Sequence, residues 1–451
     1  MTVPTKKPLW QRFAIFLLPL MLANVLQSLS GTINNIYIGQ LLGVEALAAV
    51  SIFFPIMLFM ISFVIGLASG ATILIGQAWG AKNLEKVKQV TGTTLTTSVL
   101  LGLVVAVLGA LFARDLLQLL GAPADILDDA TAYARLVMIG GPGFFLFLTI
   151  TSILRGVGDT MTPLTTLVFS IAVGLVVTPA LIQGWFGLPQ IGVLAAAVAF
   201  IVGFTVVLVY LYFYLNWRKS PMAPDAALIG HLRIDVKLLG LIVKLGLPAG
   251  MSMVVASTSA LVIVGIVNQF GSNATAAYGA VNQVMSYVQF PAMSIGIAAS
   301  IFAAQAIGAR EMAEVGHVTR TAALMNVIVT GSFVLIAYLF SENLVRLFIT
   351  DPEVIDLTET LLHIVLWSVV IFGFGSILSA VMRASGDVWV PMALSISAIA
   401  LVEIPAALIL SQVLGLNGVW IAYTMSFCAL LVFQAIYYFG FWRKKEIRAL
   451  V

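Results

Sequence analysis

Runs of 20 or more mostly apolar positions follow one another along the whole chain, separated by short polar joints rich in Gly, Pro, Asp, Lys and Arg. An apolar run of that length is read as a helix crossing a hydrocarbon layer roughly 30 Å thick. Twelve helices are expected, near 14–40, 46–79, 90–113, 129–154, 161–185, 191–216, 239–267, 275–307, 318–341, 355–382, 389–413 and 417–441. Lys6, Lys7 and Arg12 precede a first run too long for the apolar region of a secretory signal, so the first helix is expected to be retained.

Composition changes this picture little. Charged residues make up 9% of the chain, against about 25% in soluble proteins, and 61% are hydrophobic. So few charges cannot clothe a soluble globule. The one cysteine, Cys428, excludes an internal disulfide or a thiolate metal site. The three histidines, His231, His317 and His363, stand too far apart for metal-ligand spacing, and no metal site is expected.

Charge placement says more than the net +3. With the N-terminus inside, the alternating joints put 19 of the 22 basic residues on the cytoplasmic side. Only Arg114, Arg135 and Arg346 fall outside. Such asymmetry follows the positive-inside rule, and a missed span would have scrambled it. Both termini are expected in the cytoplasm.

The joints also repeat. "LRGVGDTMTP" at 154–163 returns as "MRASGDVWVP" at 382–391, pairing Arg155, Gly158, Asp159 and Pro163 with Arg383, Gly386, Asp387 and Pro391, each 228 positions on. "GATILIGQAWGAK" at 70–82 aligns with "AASIFAAQAIGAR" at 298–310 at the same offset, and Gly43 pairs with Gly271. Pro179 and Gly192 pair with Pro405 and Gly418 at 226. Each joint has a local use too. Arg155 faces the negative end of a helix dipole, Gly158 and Asp159 turn the chain, and Pro163 suits a first helical turn.

The chain is therefore two copies of one six-helix unit. Because six is even, both copies cross the membrane in the same sense, which implies two lobes with a cavity between them. The basic, Pro-containing stretch 217–238 reads as a cytoplasmic linker between an N-terminal lobe, 1–216, and a C-terminal lobe, 239–451. This is transporter architecture rather than enzyme architecture.

The glycine-rich end of span two running into "GQAWGAKN", the "LRGVGDTMTP" joint and their second copies resemble the multidrug and toxic compound extrusion (MATE) family, in its bacterial DinF- or NorM-like branch. The resemblance covers essentially the whole chain. It implies an all-α polytopic fold of 12 transmembrane helices in two parallel-repeat six-helix bundles around a central cavity. It also implies secondary active efflux of organic cations across the bacterial plasma membrane, driven by inward protons or sodium ions. The expected partners are small-molecule organic cations and membrane lipid, with no nucleic acid, no organic cofactor and a monomeric state; the coupling ion is H+ or Na+.

The departures from the family pattern matter. Members often carry an aspartate in the first helix, in a stretch like "VDTIFVG"; here "NNIYIG" puts Asn34 at that place. A second aspartate, near Val177 and Thr178 in the fifth helix of many bacterial members, is absent, and spans seven and ten hold no acid in their apolar parts.

Sorting the 19 carboxylates by depth leaves ten outside, eight inside and one within a span, Glu403 in "ALVEIPAALIL". It lies about 14 residues into span eleven, or roughly 21 Å at 1.5 Å per residue. An ionisable group at that depth is costly and marks a functional candidate, and Pro405 is expected to open the local helix. The bland alternative is a structural glutamate hydrogen-bonded to a neighbouring helix. On the functional reading Glu403 binds the exported cation or the driving ion, and competition couples the two fluxes.

Polar stripes add softer candidates. In span one Asn24, Gln27, Ser28, Gly31 and Asn34 or Asn35 recur along one face; in span eight Asn282, Ser286, Gln289 and Met293 do so beside Tyr287 and Phe290. They would line a cavity and hold cations on aromatic and Met side chains, or equally join helices by hydrogen bonds. Gly66 with Gly70 and Gly76 with Gly80 read as close-packing pairs, and "GGPG" at 140–143 as a bend.

Rival classes fit less well. A flippase for lipid-linked substrates, from the same wider superfamily, would want cationic groups deep in its cavity. A major facilitator transporter would show a "GxxxDRxGRR"-like loop after span two, where "GAKNLEKVK" stands. A channel would carry no uphill flux, and an enzyme would need catalytic groups to converge around the lone deep carboxylate. No catalytic residue is expected.

Overall fold

The computed structural model describes residues 8–218, 220 and 222–451, so the basic residues Lys6, Lys7 and Lys219 lie outside the described residues. The helices are α1 (Leu9–Leu42), α2 (Val44–Gly80), α3 (Leu84–Leu119), α4 (Leu127–Ile139 with Gly141–Gly156), α5 (Met161–Gln183), α6 (Leu194–Trp217), α7 (Val236–Asn268), α8 (Ser272–Gly308), α9 (Met312–Leu339), α10 (Pro352–Val365 with Ser368–Ala384), α11 (Trp389–Leu414) and α12 (Leu416–Lys444). Ten are single helices long and apolar enough to span a membrane, and the bent pairs α4 and α10 bring the number to twelve. Every expected span has its helix. Large apolar side chains such as Leu111, Val176, Leu261, Leu335 and Leu401 stand exposed on them, as a lipid-facing surface requires.

The bend in α4 is 52° and falls at Gly140–Pro142, where the proline supplies no backbone N–H and the glycines no side chains. The 41° bend in α10 has no Gly-Pro signal at its break, around Leu366 and Trp367, and was not legible in the sequence.

The repeat is written into the backbone. Gly43 and Gly271 have φ of 92° and 94°, Gly158 and Gly386 of 94° and 91°, and Lys82 and Arg310 of 58° and 59°. Lys82 and Arg310 are the only non-glycine residues with positive φ among the described residues. That both copies accept this cost at the same place shows that the turn after α2 is the turn after α8.

Packing groups the chain into two compact units: the chain up to Met21 with Gly76–Lys82 and Pro248–Val451, and Leu22–Ile75 with Asn83–Leu247. In the first unit α8 is the most buried of the single-helix spans, flanked by one core around Val281, Leu362 and Trp420 and another around Phe13, Phe302 and Met382. Here the last turn of α2 meets the last turn of α8 reciprocally. A Cβ on Gly80 would lie 1.9 Å from the Gln305 carbonyl oxygen, and one on Gly308 would lie 1.8 Å from that of Gln77. The Gln77 side chain donates to the Ala384 carbonyl at 2.8 Å and accepts from the Leu450 amide at 2.7 Å.

In the second unit the core surrounds Phe53, Ala134 and Phe145. Gly70 and Gly246 close a second crossing, with virtual Cβ atoms 2.1 Å from the Ile242 oxygen and 1.9 Å from the Gly66 oxygen. Gly66, Gly70 and Gly80 thus act as the close-packing residues their spacing implied.

The 217–238 stretch is not a free tether. Asp225 pairs with Lys88 on α3 and caps the short helix Ala226–Gly230 through the Leu228 amide at 2.8 Å. The His231 carbonyl fills the place of a side chain on Gly92, 2.1 Å from its virtual Cβ.

Gly308→Ala forces a methyl into backbone and is expected to cost about 3 kcal/mol or more, at the upper end of overpacking. Gly279→Ala on the same helix meets nothing within 4 Å and should be neutral or slightly stabilising. Melting curves in detergent compare the two, and equal curves would refute the crossing.

The Lys88 ammonium and the Leu228 amide hold the Asp225 carboxyl below the usual carboxylate range. A lowered carboxylate stabilises above its unfolded pKa and loses that contribution as pH falls through the folded value. Hydrogen exchange at residues 222–234 should therefore accelerate below about pH 4 and in high salt, and Asp225→Asn should show the fast pattern at neutral pH.

Candidate functional site

Glu403 closes a six-residue π-helical turn, Ala398–Glu403, inside α11. Pro405 follows it: the ring lacks an N–H and crowds the carbonyl four residues back, so the regular helical hydrogen bond to Leu401 is missing at the end of this turn. Glu403 is 6% exposed, and no other charged residue among the described residues is buried so fully. Ser259 of α7, itself 1% exposed, donates to its Oε1 at 2.6 Å. Ser426 of α12 approaches Glu403 as a second hydroxyl partner, with its Oγ 3.4 Å from the Ala398 carbonyl oxygen of the π turn.

Aromatic rings stand beside this group. Tyr423, one turn before Ser426, lies within electrostatic reach of Glu403 and shares a 3.0 Å hydrogen bond with the Tyr278 hydroxyl. Trp420 packs between the two, with ring centroids 5.2 Å from each. One carboxyl, two serine hydroxyls and three aromatic rings, drawn from four helices of one unit, come together here. An ionised Glu403 accepts from the serines; a neutral one has a proton to give; and serine lone pairs can turn toward a bound cation. The sequence located Glu403 but not Ser259, Tyr278, Tyr423 or Ser426, which look like ordinary span residues until the helices pack.

In the second unit a cavity of about 260 Å³ holds part of the span-one stripe. Gln27, Gly31 and Asn34 of α1 line it with Tyr37, facing Ser170 and Thr178 of α5, and Phe147 and Phe200 close it. Asn35 is exposed and does not line it, so of the two asparagines the cavity takes Asn34. Asn24 is half-buried one turn from Gln27 and lies outside the lining. The cavity therefore joins Asn34, which stands where the family pattern often sets an aspartate, with Thr178, which lies near the place of the second one, and both are uncharged.

On α8, Asn282, Ser286, Gln289 and Met293 occupy one accessible stripe opposite buried Val281, Val284, Val288 and Ala292. Ser286 returns its hydroxyl to the Asn282 carbonyl at 2.9 Å, and Met293 is 47% exposed. Tyr287 packs edge-on against Phe290 with centroids 5.8 Å apart.

The sequence and the fold have known counterparts. The MatE family model matches the chain twice, over residues 19–180 and 248–409. The chain belongs to the MATE family. That places it among multidrug efflux transporters rather than enzymes, and sets aside the major facilitator alternative. Its relatives include the probable multidrug resistance protein YoeA of Bacillus subtilis, 44% identical over 99% of this chain and 97% of that protein. The probable multidrug resistance protein NorM of Thermotoga maritima is 25% identical over 95% and 92%. Among solved structures, a variant of the Vibrio cholerae MATE transporter VcmN shares the fold with a TM-score of 0.88 at 21% identity, covering 97% of this chain and 98% of that one.

The two MATE repeats differ at the acid. Glu403 stands two residues before Pro405, as Val177 stands two before Pro179. The residue two before the repeat-paired proline is thus apolar in the first copy and acidic in the second.

Ser259→Ala leaves a buried carboxyl short of a donor and should lower stability by about 1–3 kcal/mol. Thermal unfolding in detergent measures it, and Glu403→Gln should recover part of the loss because an amide is cheaper to bury than a carboxylate. An unchanged melting curve for Ser259→Ala would show that this hydrogen bond does not hold the site.

Proposed function

We propose that this MATE transporter is a cation antiporter: it exports organic cations from a bacterial cytoplasm and takes up protons or sodium ions in exchange, by alternating access. The sequence repeats, 1–216 and 239–451, are the moving lobes in this reading. Both termini lie on the cytoplasmic side of the plasma membrane, which the lopsided placement of basic residues supports.

The observation that carries the mechanism is the single buried carboxyl. With the first-copy cavity neutral at Asn34 and Thr178, Glu403 is the one acidic group set deep enough to exchange one cation for another. Occupation by the driving ion satisfies the carboxyl and leaves the cargo no countercharge. Loss of that ion restores a negative group beside Tyr423, Trp420 and Tyr278. A ligand shifts a conformational equilibrium only by its differential affinity for the two states, so competition at one carboxyl couples the fluxes. Gln27 and Tyr37 in the first copy, with Gln289 and Met293 on α8, offer neutral polar and polarizable surface for cargo of varied shape.

Everted vesicles carrying the protein and a fluorescent organic cation test this under separately imposed proton and sodium gradients. One gradient should drive uphill transport, and Glu403→Gln should cut the gradient-driven rate at least tenfold while protein abundance stays the same. Uphill transport untouched by that substitution would remove Glu403 from the mechanism.

A further inference from the structure

A cavity in the first unit, separate from Glu403, carries the opposite charge. It is an open cavity of about 470 Å³ among α9, α10 and α12, toward the ends of these helices that share a side with the C-terminus. Two guanidinium groups stand in it, Arg320 of α9 and Arg443 at the end of α12. Among the described residues neither has a carboxylate partner; Arg443 lies only over the Phe439 ring, 5.8 Å from its centroid. Beside them the Tyr438 and Thr319 hydroxyls lie 3.2 Å apart. Deeper in, the wall is apolar: Phe374, Leu378, Leu431 and Ala435.

We propose that this cavity binds an anionic phospholipid of the cytoplasmic leaflet, its phosphate between Arg320 and Arg443 and its acyl chain along Phe374 and Leu431. The charge rules out the transported cation as occupant, since two unpaired guanidinium groups repel it. The shape disfavours a free anion, because an apolar wall of this extent adds nothing to phosphate binding but shelters a hydrocarbon chain. Arginine suits a phosphate because its planar fork gives two parallel hydrogen bonds, and basic pockets between spans on the cytoplasmic side take lipid headgroups in this way. The Tyr438 hydroxyl can turn from Thr319 to a phosphate oxygen. The lipid would thereby join α9, α10 and α12 at their cytoplasmic ends.

The full chain in neutral detergent tests this against dioleoylphosphatidylglycerol, dioleoylphosphatidylcholine and inorganic phosphate, read by native mass spectrometry and thermal unfolding. Phosphatidylglycerol should stay bound and raise the melting temperature of the wild type, while phosphatidylcholine and phosphate do neither. R320Q/R443Q should weaken phosphatidylglycerol binding at least tenfold yet melt like wild type in phosphatidylcholine. Gly316→Leu keeps both charges and grows into open space at the cavity lining, so it folds independently of the arginines and should weaken the same binding by filling the lipid's place. Equal phosphatidylglycerol binding by wild type and both variants would overturn the proposal. So would a phosphate effect matching that of the lipid, or a response to phosphatidylcholine of the same size.

Discussion

The structure depends on one contact in which side chains are absent. Gly80 and Gly308 let the ends of α2 and α8 meet backbone to backbone: the Gln305 backbone fills the place of a Cβ on Gly80, and the Gln77 backbone that of a Cβ on Gly308. In hydrocarbon there is no hydrophobic force to press helices together, so close approach and the dispersion it brings must hold them. Because the contact is made by two copies of one segment, it is symmetric, and the positive φ of Lys82 and Arg310 just beyond it is symmetric as well. Gln77, three residues before the first of these glycines, ties in Ala384 and Leu450 through its side chain.

At the other repeated joint the two copies differ. Asp159 caps α5, accepting from the Thr162 amide at 2.9 Å and from its hydroxyl at 2.5 Å. Asp387, its counterpart, instead accepts from the Tyr437 hydroxyl at 2.7 Å and the Lys445 ammonium at 2.8 Å, and so holds the C-terminal segment. A surface pair of this kind adds little to stability; its effect is to place the chain end.

Charge inside the spans follows a stricter rule. Desolvation makes each buried acid expensive, so a chain of this kind keeps few. Here the first copy retains a polar cavity without charge, and the second holds a carboxyl at the place the first fills with Val177. Pro179 and Pro405 occur in both copies, but α5 stays α-helical past its proline while α11 widens into a π turn ahead of the other. The acid sits on that widened turn, where Ser259 and Ser426 reach it from neighbouring helices.

The sequence by itself determined the span count, the duplication, the glycine contacts of α2, the bend at 140–143 and the identity of the one deep acid. Each of these rests on local chemistry: apolar length, a missing side chain, a missing N–H, or the cost of charge in hydrocarbon. It did not determine that Glu403 is closed in by Ser259, 144 positions away. Nor did it show that Asn34 rather than Asn35 lines the cavity, that 217–238 is fastened to α3, or that Arg320 and Arg443 share one pocket. Those facts depend on which helix faces which and at what rotation. Apolar spans leave rotation nearly silent in sequence, because all their faces look alike until packing sets a few polar side chains against one another.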